Sequence, residues 1–103
     1  MSVYRLHPEA RAEFLDAIDD YGARADAGDL ASDFADAVIQ RIRQEVRSGV
    51  ERLPEYPGTD ARYSHVPRFP YLLIFARGPD IVLVAAVAHE RRRPGYWVAR
   101  LDD

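Results

Sequence analysis

Ile81-Val82-Leu83-Val84-Ala85-Ala86-Val87-Ala88 is an unbroken apolar run. It is far shorter than the roughly 20 residues that span a bilayer, and its β-branched residues favour a strand. A strand with no polar face must be covered on both sides, either wholly by its own chain or by its own chain on one side and a partner on the other. That requirement decides the fold, because the rest of the chain must supply the cover. Working backwards, Arg77-Gly78-Pro79-Asp80 is a turn, and Tyr71 to Ala76 and Arg62 to Val66 read as two further strands. The last two strands then form a hairpin.

The cover comes from the first half of the chain. Val3-Tyr4-Arg5-Leu6 alternates apolar and polar residues and meets His7-Pro8, which suits a short strand ended by a turn, with Pro8 as the first residue of a helix. Ala10, Phe14, Ala17, Ile18, Tyr21 and Ala25 recur at spacings of three and four and define one apolar stripe, with Glu9 and Glu13 placed to favour the helix N-terminus. Ala27-Gly28-Asp29 interrupts this helix. Leu30, Phe34, Val38, Ile42, Val46 and Val50 fall at every fourth position, broadened by Ile39 and Leu53, until Pro54 stops the second helix. The expected class is α+β, in the order strand, helix, helix and three strands. Its packing is a small, curved, mostly antiparallel sheet with the helical hairpin across one face.

A chain of 103 residues is one domain, spanning 1–103. It hides roughly two thirds of its unfolded surface, enough for a core without disulfides. None could form, since cysteine is absent. The start of the chain has no signal-like apolar segment, so a cytoplasmic location is expected. The net charge of −3 conceals an asymmetry: residues 1–40 carry three arginines against nine acids, and residues 41–101 carry eleven arginines against six acids. Every basic residue is arginine, which an arginine-biased genome explains without any site. The two halves still suggest separate surfaces for separate partners.

Polar function concentrates directly after the apolar strand, in His89-Glu90-Arg91-Arg92-Arg93-Pro94-Gly95-Tyr96-Trp97. Arginine forks suit phosphate or carboxylate, Tyr96 and Trp97 offer stacking faces, and His89 can exchange a proton with Glu90 as partner. The plainer alternative is that Trp97 closes the core edge while the arginines pair with acids of the first helix. Arg62, His65 and Arg68 form a second basic group, although alternation sends Arg62 and Ser64 to one face and Tyr63 and His65 to the other. His7 reads as a turn or capping residue, and Asp16, Asp19 and Asp20 as the solvent side of the first helix. Scattered histidines give no metal site, and no phosphate loop or nucleophile elbow implies a cofactor or a hydrolase.

The element order resembles the ParE/RelE superfamily of bacterial toxins, the plasmid stabilisation family. Tyr4-Arg5-Leu6-x-Pro8-x-Ala10 opens the likeness, and Tyr21 and Leu53-Pro54 close the two helices. The ending Val84-x-x-Val87-x-His89-x-Arg91-Arg92-x-Pro94-x-Tyr96-Trp97 completes it. The resemblance implies the toxin of a type II toxin-antitoxin pair, held in a hetero-oligomer by a cognate antitoxin. RelE-like members cut messenger RNA on the ribosome; ParE-like members bind DNA gyrase and break no bond. Where RelE-like sequences carry a phosphate-clamping arginine, this chain has Leu72. Loss of one such cation costs several kcal/mol of barrier lowering. The resemblance therefore tilts towards a gyrase-binding, non-enzymatic toxin whose target-binding residues are His89, Glu90, Arg91, Arg92, Arg93, Tyr96 and Trp97, with Arg62 and Arg68 as further basic surface. The alternatives are an mRNA endoribonuclease using His89, Arg91 and Tyr96, and a degenerate member without toxicity.

Overall fold

Strand β4 (Val82–His89) lies inside a four-stranded sheet of order β1-β4-β3-β2. It runs parallel to β1 (Tyr4–Leu6) and antiparallel to β3 (Tyr71–Arg77), which pairs in turn with β2 (Arg62–His65). The computed structural model describes residues 3–26 and 28–102. Helices α1 (Pro8–Gly22) and α2 (Leu30–Ser48) follow β1, and a 3-10 turn at Val98–Asp102 closes the described chain. Of the interruption read at Ala27-Gly28-Asp29, Ala27 lies outside the described residues, as does Asp103 at the acidic end. The α+β class and the strand-helix-helix-strand order are those expected.

Both faces of β4 are covered by this chain. Val82, Val84 and Val87 pack under the helices with Tyr21, Phe34, Val38 and Ile42. Ala85, Ala86 and Ala88 face the other way, against Ile74, Ala61 and Trp97. The switch of face comes from a β-bulge: Phe75 pairs with Val84 and Ile74 with Ala86, leaving Ala85 as the extra residue. Strict alternation from Val82 would put Ala86 and Ala88 under the helices and His89 opposite. The bulge reverses this, and the small alanines leave the room that the indole of Trp97 fills.

The helical stripes pack as read, with differences at their ends. α1 stops at Gly22, short of Ala25, because residues 23–26 are exposed and no apolar side chain there meets the sheet. His7 caps α1, its Nδ1 accepting from the Glu9 N–H at 3.1 Å. Phe34 centres an aromatic cluster, with ring centroids 5.1 Å from Tyr21, 5.2 Å from Phe69 and 5.0 Å from Tyr71. α2 ends at Ser48 because Gly49 takes φ 94°, and a 3-10 turn at Val50–Arg52 carries Val50 and Leu53 back into the core. Gly49→Ala is expected to cost about 1–3 kcal/mol, since a side chain at this φ is strained. Its Cβ would also lie 3.0 Å from a Glu51 carboxylate oxygen. A urea midpoint lowered at unchanged slope checks it.

Glu45 sits within the α2 stripe and is only 2% exposed. Its carboxylate accepts from the Ser64 hydroxyl at 2.6 Å and from the Arg52 guanidinium, with Arg41 at 3.6 Å. These partners tie α2 to β2 and satisfy a charge that burial alone would make costly.

Candidate functional site

β1 ends at Leu6, so the outer edge of β4 loses its partner strand halfway along. The His7 N–H still donates to the Val84 carbonyl at 2.9 Å. Beyond it two side chains take the place of a strand. The Val87 N–H donates to Glu13 Oε1 at 3.0 Å, and Arg100 Nη1 donates to the Ala85 carbonyl at 3.1 Å. Glu13 and Arg100 also join each other through two bonds of 3.0 Å, a bidentate pair that uses the planar fork of the guanidinium. The Tyr96 hydroxyl donates to the second Glu13 oxygen, and Arg92 approaches it at 3.6 Å. One carboxylate of α1 therefore holds the edge of the central strand and the segment that follows it.

The segment itself turns sharply, with Gly95 at φ 75°. It is pinned a second time by Trp97, which is 2% exposed and meets the Tyr56 ring edge-on at 4.8 Å. Burial pushes the Tyr96 hydroxyl well above the ordinary tyrosine range, helped by its hydrogen bond to Glu13. It remains a protonated donor, its ring in contact with guanidinium groups at 3.8 Å (Arg92) and 5.1 Å (Arg100).

The residues singled out in the sequence are distributed as follows. His89 stacks edge-on against Tyr71 at 5.0 Å, on the helix side of the sheet, and its Nδ1 accepts from the Arg91 N–H at 3.0 Å. Glu90 points instead to His65, Oε1 lying 3.4 Å from Nδ1. Arg91 and Arg93 are exposed, and neither makes an ion pair among the described residues. Arg92 and Tyr96 are brought together on Glu13; among the described residues His89 and Tyr96 share no partner.

Arg62 is engaged elsewhere, donating to the carbonyls of Glu51 at 2.8 Å and Leu53 at 2.7 Å, with Glu55 at 3.8 Å. Arg68 occupies the turn between β2 and β3 at φ 74° and reaches Asp33 of α2 at 3.8 Å. The two do not converge on residues 91–93. Leu72 pairs with Ala88 and belongs to the Trp97 face. Among the described residues no three His, Cys, Asp or Glu side chains cluster as a metal ion would require, and no helix is long and apolar enough to cross a membrane.

Glu13 and Arg100 organise the site and escaped the sequence reading. A signal for Glu13 was present, because it falls between Ala10 and Ala17 at spacings of three and four, inside the apolar stripe of α1. An acid at a stripe position has to find a cation. Arg100 carried no comparable signal, since a 3-10 turn this short has no period.

Comparison with known proteins agrees with the topology. The fold is similar to that of a chain from the chromosomal ParDE toxin-antitoxin system of P. aeruginosa, with a TM-score of 0.68 at 16% sequence identity. The match covers 86% of this chain and 96% of that one. At that identity the likeness speaks for the fold alone. No curated protein is significantly similar in sequence. A family model for the ParE toxin of the type II toxin-antitoxin system parDE matches residues 4–94, from the first residue of β1 to the proline of the cationic segment. The match takes in both helices, all four strands and Arg91 to Arg93, and the chain belongs to the ParE toxin family.

Proposed function

We propose that the chain arrests growth by binding DNA gyrase and that a cognate antitoxin neutralises it in a hetero-oligomer. The observation that carries this reading is the segment 90–97, tied to α1 where Arg92 and Tyr96 meet Glu13 and to the core by Trp97, while Arg91 and Arg93 stand exposed and without an ion pair among the described residues. A rigid loop with uncompensated cations is suited to an acidic protein surface, because little ordering entropy is lost on docking. Gyrase inhibition by such a loop needs no proton transfer. The Tyr96 hydroxyl is engaged by Glu13, His89 Nδ1 by the chain itself, and the phosphate-clamp position is Leu72.

The antitoxin is expected to lie along the helical hairpin and the sheet edge, where β1 pairs on one side only, as a helix and an added strand. A stable complex of this kind buries at least about 1,000 Å². Calorimetric titration with the protein encoded beside it tests this part, and no heat at micromolar concentration would remove it.

The target is tested by supercoiling assays with purified gyrase. The double variant Arg91→Ala/Arg93→Ala is expected to keep the wild-type melting point and to inhibit about 10- to 100-fold more weakly. His89→Ala is expected to change inhibition and growth arrest by less than about fivefold, because the ring is packed on Tyr71 and removing it takes away no cation. Loss of nearly all toxicity in a folded His89→Ala chain would instead point to ribosome-dependent cleavage of mRNA.

A further inference from the structure

On the face of the sheet away from the helices, a cavity of about 670 Å³ opens between the connector after α2 and the C-terminal segment. Tyr56 and Thr59 form one wall, Pro94 and Val98 the other, and Tyr63 and Leu72 the floor. It continues at both ends. Towards the β4 terminus it shares Tyr56, Leu72 and Pro94 with a space of about 200 Å³ reaching Arg92 and Arg93. In the other direction it shares Thr59 and Val98 with one of about 430 Å³ lined by Asp60, Arg77 and Asp102. The three form one trough, apolar and aromatic in the middle and charged at its ends. Val98, at 40% exposure, is one of the few large apolar side chains left to solvent among the described residues. Trp97 beside it is buried, so the trough wall is anchored in the core.

We infer that this trough is where the toxin grips its target, taking an extended peptide segment with an apolar or aromatic side chain in the middle and an acidic one towards Arg93. The inference rests on the reading of the chain as a toxin that acts by protein binding. The occupant follows from the lining. Aromatic edges and Leu72 suit an apolar side chain, and Arg93 at one end, without an ion pair among the described residues, suits a carboxylate. A nucleic acid strand suits the trough poorly, because Glu90, Asp60 and Asp102 also line it and would face its phosphates.

Two variants place charge on the apolar part without entering the core, Val98→Asp and His65→Glu. His65 also lines the cavity, with its side chain 66% exposed. Each is expected to weaken growth arrest and gyrase inhibition about tenfold or more, while the melting point and the affinity for the antitoxin stay at wild-type values. Arrest that persists unchanged in both variants overturns the trough and leaves the gyrase reading standing. Arrest lost in both, from a wild-type chain that does not bind purified gyrase, keeps the trough and removes gyrase as its target. If binding to a single-stranded oligonucleotide, or self-association in sedimentation, is lost in step with arrest, the occupant is a nucleic acid or a second copy and the peptide assignment is overturned. A wild-type chain that arrests nothing overturns both.

Discussion

Glu13→Ala is expected to lower the stability of the folded chain by about 3–5 kcal/mol, the range for removing one partner of a buried ion pair. The loss has three parts. Arg100, 8% exposed, loses its bidentate partner and keeps only the longer contact to Glu9 at 3.7 Å, the Val87 N–H loses its acceptor at the open edge of β4, and Tyr96 loses the group that holds its hydroxyl. Against a typical domain stability of about 5–15 kcal/mol, this brings the chain close to unfolding. Urea denaturation measures the loss, and trypsin cutting after Arg91 and Arg92 reports release of the segment.

Glu13→Gln keeps an acceptor for Val87 and is expected to recover only part of the stability, because the buried cation of Arg100 is left with the longer, more exposed pairing to Glu9 alone. The double variant Glu13→Ala/Arg100→Ala should be less damaging than the sum of the single ones, with a coupling of about 1–3 kcal/mol. A single-variant cost under about 1 kcal/mol would mean that the edge of β4 holds without the carboxylate. High pH probes the same group from another side. Folding raises the Tyr96 pKa above its unfolded value of 10.0, through burial first and then through Glu13. Its contribution is complete below that value and falls away as the pH climbs through the higher folded one.

Trp97→Ala is expected to cost a further large amount in its own right, about 3–5 kcal/mol for an aromatic truncated in a core. The indole covers Ala85, Ala86 and Ala88, whose small side chains cannot close over the space it leaves, and it packs edge-on against Tyr56. The same variant frees Val98, so growth arrest is expected to fall more than the population of folded molecules does. Trp97→Phe refills part of the space and should recover more than half of the stability. Near-UV circular dichroism and a melting curve check both variants. An alanine variant within about 1 kcal/mol of wild type would mean that the second face of the sheet needs no cover.

Much of this architecture is written locally. The apolar run before His89 demands cover on both faces, and the fourfold spacing from Leu30 to Val46 specifies the helix that supplies one of them. The other cover, Trp97 with Tyr56, comes from irregular chain, where no period marks which residues turn inward. Two features of the site have a longer-range origin. The bulge at Ala85 depends on how β3 and β4 register, and it decides that His89 stacks on Tyr71 instead of joining the Trp97 face. Arg100 finds Glu13 only because β1 is too short to fill the edge of β4. The charged residues were legible as a run, but their separation into Arg92 on Glu13, Glu90 on His65, and Arg91 and Arg93 without an ion pair among the described residues is set by the turn at Gly95 and the anchors beyond it.

The most direct test of the proposed gyrase binding is to induce the chain alone in bacteria and to follow DNA synthesis and protein synthesis side by side by short pulse labelling. DNA synthesis falling first, with protein synthesis following later, is the predicted result. Protein synthesis falling first, with messenger RNA cut at ribosomes, would contradict it.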